Sequence, residues 1–177
     1  MKYLNIVLAA IGSLLMAGCA TTIDAYRGSQ PAFDLKQYFD GKLVASGIFI
    51  DYSGKVARRF TVDMTGTWEG DNGKLEEYFT YDDGEKQTRI WYLRKTAEGR
   101  YEGRADDISG TALGTAEGFA LNWKYAMNLP YKDGTIAVKF DDWMYLVDEK
   151  RLINTAKVNK WGFQVGEVVL YMEKLSD

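Results

Sequence analysis

The chain has 177 residues, of which 46% are hydrophobic and 27% are charged, and this is the size and composition of one folded domain. Its net charge of −3 disfavours a nucleic-acid-binding protein, because such domains are normally basic. The absence of His and the single Cys exclude a Ser-His-Asp triad, a zinc finger, an iron–sulfur cluster and an internal disulfide.

The first eighteen residues have the pattern of an export signal. Lys2 follows Met1, and a run of mainly apolar residues extends from Leu4 to Ala17. This run has the length of the hydrophobic region of a signal peptide and is too short to cross a bilayer as a helix. We therefore predict that residues 1–18 are a signal peptide.

The apolar run ends in Leu15-Met16-Ala17-Gly18-Cys19, which resembles the bacterial lipobox. The resemblance implies that a diacylglycerol is attached to the thiol of Cys19 and that lipoprotein signal peptidase cuts before this residue. Two or three acyl chains give stable membrane anchoring. In the enterobacterial sorting pattern, Asp after the Cys favours retention in the inner membrane, so Ala20 implies the outer membrane. We expect a protein that is lipid-anchored to the periplasmic face of the outer membrane.

Residues 19–32 are predicted to be the lipidated Cys followed by a flexible tether. Residues 20–32 show no sustained hydrophobic periodicity and include Gly28 and Pro31. Fully extended, this stretch would reach about 40 Å from the membrane. Asp34 to Phe39 are predicted to form one helical turn that caps the mouth of a barrel.

Residues 33–177 are predicted to form one β-barrel domain. Short runs rich in aromatic and β-branched residues alternate with Gly-containing turn signals, which is typical of an all-β meander. Closure of such a meander removes its exposed edges, so we predict a single antiparallel barrel of eight to ten strands. Residues 148–156 have a loop or a helical turn as an alternative. The predicted strands are 42–52, 56–68, 74–82, 87–96, 100–107, 111–119, 120–129, 135–147, 151–160 and 163–174.

Four motifs occur in order along this domain: Tyr81-Asp82-Asp83-Gly84-Glu85, Arg89-Ile90-Trp91, Tyr101-Glu102-Gly103-Arg104-Ala105-Asp106-Asp107 and Asp141-Asp142-Trp143-Met144-Tyr145-Leu146. With these motifs, nearly all of residues 33–177 resemble a family of uncharacterised bacterial lipoproteins with a single calycin-like barrel. The resemblance implies a fold of the calycin (lipocalin-like) type. It implies no activity, since the family has no established one.

Strand parity predicts which side chains point into the barrel, because alternate residues face opposite sides of a sheet. Three ionisable residues fall at inward positions among apolar ones: Arg58, Glu77 and Asp142. A lone buried charge is costly, so each of them should pair or bind something. The complete set of predicted ligand-binding residues is Arg58, Glu77, Trp123, Tyr125, Phe140, Asp142 and Met144.

Arg58 has two interpretations. It could hold the carboxylate or phosphate head group of a ligand whose apolar part is lined by the aromatic residues of the interior. It could instead form an internal salt bridge with Asp142 or Glu77 in a filled barrel. A single β-bulge would turn Asp142 to the outside.

The remaining charged residues of the motifs are expected mainly at the surface. Arg89 and Arg94 are ambiguous in parity, with the surface favoured. Arg104, Asp106 and Asp107 are expected to form a salt-bridge cluster at the rim. The acidic pairs lack the alternating spacing of a calcium-binding loop, so we predict neither a metal site nor a cofactor.

Three functions are compatible with these features. The leading hypothesis is a non-catalytic binder or carrier of a small apolar molecule, such as a fatty acid or a lipid. The second is a structural or assembly scaffold that contacts an envelope protein through exposed aromatic residues such as Trp161 or Tyr145. The third is an enzyme that acts on a lipid-like substrate through Asp142, Glu77 or a Tyr, and the absence of His disfavours it.

Overall fold

The computed structural model describes residues 21–131 and 134–176. The predicted signal peptide, Cys19 and Ala20 lie outside these residues, so their assignments stay predictions. In the part of the chain that the structure describes, no helix is both long and apolar enough to cross a membrane.

The domain is a closed antiparallel barrel of ten strands, which confirms the predicted fold class. Each strand pairs with its neighbour in sequence, and β1 pairs with β10 to close the barrel. Residues 151–156 lie in a strand, so the helical alternative for residues 148–156 is wrong there. The strands are β1 (Gly41–Asp51), β2 (Val56–Glu69), β3 (Asn72–Tyr81), β4 (Lys86–Ala97), β5 (Arg100–Arg104), β6 (Ile108–Glu117), β7 (Ala120–Tyr131), β8 (Gly134–Leu146), β9 (Arg151–Lys160) and β10 (Phe163–Lys174).

A short helix, α1 (Leu35–Phe39), closes one end of the barrel, as the sequence predicts. Asp34 caps it, because its side chain accepts a hydrogen bond from the Gln37 amide at 3.0 Å. The residues Leu35, Tyr38 and Phe39 are buried against the barrel core. The Tyr38 hydroxyl, which lies between β9 and β10, donates to a backbone carbonyl of β10 at 3.3 Å.

The ammonium group of Lys174 holds the C-terminal end of α1. It donates to the carbonyls of Gln37 at 2.6 Å, Tyr38 at 3.2 Å and Asp40 at 2.5 Å. The carbonyl groups at the C-terminal end of a helix have no hydrogen-bond donor within the helix. A positively charged donor is therefore favourable there. The last strand therefore holds the helix against the barrel.

Within the described ranges, only one end of the barrel is covered by a helix. α1 directly precedes β1, so it lies at the end where β1 begins. We call the end that holds α1 the closed end. The opposite end, which we call the open end, holds the turns that follow β1, β3, β5 and β9.

The closed half of the barrel is filled by large side chains. The indole of Trp123 packs edge-on against that of Trp91, with 6.1 Å between ring centroids. Gly114 on β6 makes room for it, since a Cβ atom there would lie 2.1 Å from a ring carbon of Trp123. The interior here is a packed core of buried apolar side chains.

The chain before α1 packs onto the barrel near the closed end. Residues Ile23–Tyr26 form a 3-10 turn, and the Tyr26 ring lies 5.1 Å from Phe119 and 5.7 Å from Tyr145. A Cβ atom at Gly118 would lie 2.0 Å from the Tyr26 carbonyl oxygen, so the two backbones touch. Within the predicted tether of residues 19–32, residues 23–29 therefore pack against the barrel, a contact that the sequence did not indicate because isolated aromatic contacts produce no periodic pattern.

Candidate functional site

The inward-facing side chains differ in how far water reaches them. At the closed end Leu43, Leu121 and Leu152 are at most 1% exposed. In the open half Met127, Val138 and Val158 are also buried, but a set of mainly aromatic inward residues is only partly buried. We call this partly exposed inner face the mouth, lined by Phe49, Phe60, Phe79, Tyr125, Leu129 and Phe140. Its side chains are mainly apolar, and it lies in the position where small barrels hold a ligand.

The predicted site residues divide between the mouth and the core. Tyr125 and Phe140 lie in the mouth as a stacked pair, with 4.9 Å between ring centroids and 9° between ring planes. Trp123 is 4% exposed and fills the closed half, where a ligand in the mouth would not reach it. Met144 is partly buried opposite Leu121. The structure thus brings Tyr125 and Phe140 together. Trp123 and Met144 lie nearer the closed end.

Asp142 points inward, as predicted, and is 6% exposed. One carboxylate oxygen accepts a hydrogen bond from the Tyr125 hydroxyl at 3.3 Å, and the other accepts one from the Asn154 amide. Burial raises the pKa of Asp142 from 3.8 to about 7, against the lowering effect of these two hydrogen bonds. Asp142 therefore takes up a proton close to neutral pH.

Glu77 also points inward, and its partner is Arg89, which the sequence favoured at the surface. The two residues lie opposite each other on β3 and β4. The Arg89 Nε donates to Asp107 Oδ2 at 2.9 Å, and the guanidinium lies 3.6 Å from Glu77 Oε2. The surface was favoured for Arg89, and Asp107 was expected in a salt-bridge cluster at the rim. Both expectations are wrong, because the side chains are only 16% and 26% exposed.

The register of the β3–β4 hairpin contained the signal that parity alone missed. Residues 90–93 are apolar on both faces of β4, so alternation could not orient Arg89. The Asp82-Asp83-Gly84-Glu85 turn aligns Glu77 with Arg89, and a residue opposite an inward position is itself inward. Asp107 was missed because it lies in a turn, where parity does not apply.

Arg58 lies at the rim of the open end, so the predicted salt bridge with Asp142 or Glu77 is wrong, and its predicted role in holding a ligand head group stays a prediction. It pairs with Asp83 at 3.1 Å and Glu85 at 2.9 Å, and its guanidinium stacks 3.6 Å from the Tyr81 ring centroid. Its side chain is 33% exposed, and neither Glu77 nor Asp142 is its ion-pair partner. Arg58 has inward parity, but it is the third residue of β2 and so lies at the strand end.

The other charged residues of the motifs lie outside the barrel. Arg94 pairs with Glu102 at 2.7 Å on the outer face. Arg104 and Asp106 are exposed, but Asp107 turns inward, so the predicted rim cluster of these three does not form.

Two orphaned oxygens distinguish the inward cluster of Glu77, Arg89 and Asp107. Glu77 Oε2 and Asp107 Oδ1 are buried and accept no hydrogen bond. Burial raises the pKa of Glu77, while Arg89 opposes this rise. Among the described residues, no group of three or more Asp, Glu, Cys or His is arranged to hold a metal ion.

Asp142 has the raised pKa of a general acid or base but lacks access to a substrate. Both of its oxygens already accept hydrogen bonds from protein groups, and the side chain is buried. The arrangement fits a residue that positions Tyr125 and Asn154 better than one that transfers protons to a bound molecule.

The outer surface carries two further features. A groove of about 730 Å³ crosses the outer face of β1 and its neighbours, and Ile48, Ile153 and Tyr171 are among its lining residues. At the open end Trp161 is 88% exposed, whereas Tyr145, the other predicted contact, is covered by Tyr26.

Comparison with solved structures supports the fold. The S-type phycobiliprotein lyase CPES from Guillardia theta superposes with a TM-score of 0.56 at 8% sequence identity, over 82% of this chain and 95% of the lyase. At this identity the likeness concerns the lipocalin-like barrel alone.

Comparison of the sequence with curated proteins gives no match. The sequence profile of one protein family, described as "Protein of unknown function (DUF3833)", matches residues 13–174. This range includes the whole barrel, α1 and the segment that packs against the closed end. The chain therefore belongs to the DUF3833 family.

Proposed function

We propose that this protein is a lipid-anchored envelope protein that binds a small, mainly apolar ligand in the mouth of its barrel. The observation that carries the proposal is the partly exposed aromatic inner face of the open half. Apolar surface in contact with water is unfavourable by about 25 cal/mol per Å², and a ligand would cover it. The lipocalin-like fold supports the same conclusion, since such barrels hold ligands at this end.

The packed closed half limits the ligand. All strands except the five-residue β5 have ten to fourteen residues, and about half of that length lies in the mouth. At about 3.3 Å per residue and a tilt near 40°, the mouth is roughly 12–18 Å deep. A ligand of this depth is a short amphiphile or the end of a longer lipid.

Native mass spectrometry of residues 20–177, purified without detergent, tests the binding proposal. We expect a bound mass, or a mass shift when fatty acids, fatty amines, fatty alcohols and phospholipids are added. A Phe60→Ser variant should lose the bound species, because Phe60 lines the mouth. A Tyr92→Ser variant is the matched control, because Tyr92 is 59% exposed on the outer face of β4. An unshifted mass with all four classes would refute the proposal.

The anchor and the location form a separate part of the proposal, supported by the lipobox resemblance at Leu15–Cys19 and by Ala20. Metabolic labelling with a palmitate analogue should mark the full-length protein and should not mark a Cys19→Ser variant. Fractionation should place the labelled protein in the outer membrane. Equal labelling of both proteins would refute the anchor.

A second candidate function is contact with an envelope protein through the open end. Tyr52 in the β1–β2 turn, Trp161 in the β9–β10 turn and Phe163 at the start of β10 are 75% to 88% exposed. Trp161 also has φ of 51°, a conformation unfavourable for a bulky residue, so its place in the turn is not explained by backbone preference. A photo-crosslinker at position 161 should give a discrete protein adduct in intact cells, and one at position 92 should not.

A further inference from the structure

The ionisable groups below the mouth are unbalanced in charge. Three carboxyl groups, those of Glu77, Asp107 and Asp142, lie in one cluster with a single guanidinium, that of Arg89. Among the described residues, Arg89 is the one basic side chain within ion-pair distance of Glu77 and Asp107, and none lies that close to Asp142. Asp142 takes up a proton close to neutral pH, so the imbalance rests on Glu77 and Asp107, which share one guanidinium.

The cluster is also short of hydrogen-bond donors. Arg89 gives a hydrogen bond to one oxygen of Asp107, and its approach to Glu77 at 3.6 Å is too long to be one. Glu77 Oε2 and Asp107 Oδ1 consequently accept none. Buried acceptors without donors are rare in folded proteins, and each calls for a specific explanation.

We propose that the mouth selects amphiphiles whose head group is a positively charged amine, held by Glu77 and Asp107, over fatty acids of the same length. This inference rests on the binding function proposed above. An ammonium group would bring one positive charge to the cluster and up to three N–H donors for its unpaired oxygens. A carboxylate head group would bring a further negative charge to two carboxyl groups that share one guanidinium, and it would bring no donor.

The walls of the mouth suit the same head group. An ammonium ion is attracted to the face of an aromatic ring, and Phe79, Tyr125 and Phe140 lie around the cluster. Arg89 already uses this interaction, with its guanidinium 5.3 Å from the Phe79 ring centroid. The described acidic residues lack the arrangement of a metal site, which favours an organic cation over a metal ion.

Both oxygens are buried beside Arg89, so a head group that reached them would have to move this side chain. The Arg89 side chain is 16% exposed, and it contacts Met127 Sδ at 3.8 Å. A head group that enters would displace the guanidinium from its long approach to Glu77, where no hydrogen bond is lost. The bond from Arg89 Nε to Asp107 Oδ2 would remain.

Isothermal titration calorimetry on residues 20–177 with three matched probes tests the inference. The probes are dodecylammonium, dodecanol and dodecanoate at neutral pH, each below its micelle concentration. We expect one-to-one binding of dodecylammonium with an affinity about tenfold or more above that of dodecanoate. Dodecanol should fall between them.

Two variants and one control assign the preference to the cluster. Glu77→Gln and Asp107→Asn should each reduce the preference for the amine by about tenfold, because each removes one charged acceptor. Glu76→Gln should leave it unchanged, since Glu76 lies next to Glu77 in sequence but pairs with Lys74 outside the barrel. Circular dichroism identifies a variant that fails to fold, and the other variant then decides.

The outcomes separate this inference from the function on which it rests. Tighter binding of dodecanoate, equal binding of all three probes, or an unchanged preference in both variants would overturn the amine selectivity and leave ligand binding intact. Binding of none of the probes would overturn both.

Discussion

The buried carboxyl group of Asp142 makes the stability of the barrel depend on pH in an unusual direction. Its pKa is raised from 3.8 to about 7, so between these values the folded state holds a proton that the unfolded state releases. Stability contributed by this group is therefore intact below about pH 4, falls as the pH rises, and is fully lost above about pH 7. Most exposed ion pairs of acidic residues give the opposite trend.

The size of the effect follows from the shift in pKa. One pKa unit corresponds to about 1.4 kcal/mol, so a shift of about three units makes the ionised state cost about 4 kcal/mol. About 2–3 kcal/mol of this falls between pH 5 and pH 8. Asp142→Asn keeps the shape and both hydrogen bonds, since its amide can accept from Asn154 and donate to Tyr125, and it cannot ionise.

Urea unfolding followed by circular dichroism at pH 5 and pH 8 measures the effect. We compare the free energy of unfolding of Asp142→Asn with that of the unsubstituted protein. The difference in favour of the variant should be about 2–3 kcal/mol larger at pH 8 than at pH 5. Asp63→Asn is the control, because Asp63 is exposed on the outer face of β2 and should shift both values equally. The same difference for Asp142→Asn at both pH values would refute the assignment of a proton to Asp142.

Three further substitutions test the packing, the charges and the docked segment. Gly114→Val should lower the free energy of unfolding by about 3 kcal/mol because it overlaps an indole ring, whereas Gly134→Ala, with nothing within 4 Å, should change it by less than about 0.5 kcal/mol. Arg89→Met should cost about 3–5 kcal/mol by leaving two carboxylates unpaired, and Arg58→Met at the rim less than about 1 kcal/mol; equal losses in urea unfolding would contradict the difference in burial. Tyr26→Ala should expose residues 21–32 to limited proteolysis while the barrel stays resistant, and an unchanged cleavage pattern would argue against this contact.

The fold was predictable because its signals are local. Alternation along β7 placed Trp123 and Tyr125 on the inner face, and Gly-containing turns gave strand bounds within a few residues of those observed. Asp142 was likewise placed inward from parity alone. Each of these follows from the two-residue period of a strand, which the sequence carries directly.

The site was less predictable because parity gives the face of a residue but not its depth along the barrel. Arg58 has inward parity and still lies at the rim, since it is close to the start of β2. The partnership of Glu77 with Arg89 depends on hairpin register, and that of Arg89 with Asp107 depends on how a turn folds back. Tyr26 covers Tyr145 through a contact between segments far apart in sequence, which no local pattern encodes.

The docking of residues 23–29 near the closed end determines how an anchored barrel would be oriented. If Cys19 carries the lipid, only residues 20–22 separate it from the docked segment, a reach of about 10 Å in place of about 40 Å. The closed end would then face the bilayer, with the mouth pointing away from it into the aqueous compartment. A ligand would have to arrive through that compartment or be handed over by another macromolecule, and it could not slide in sideways from the anchoring membrane.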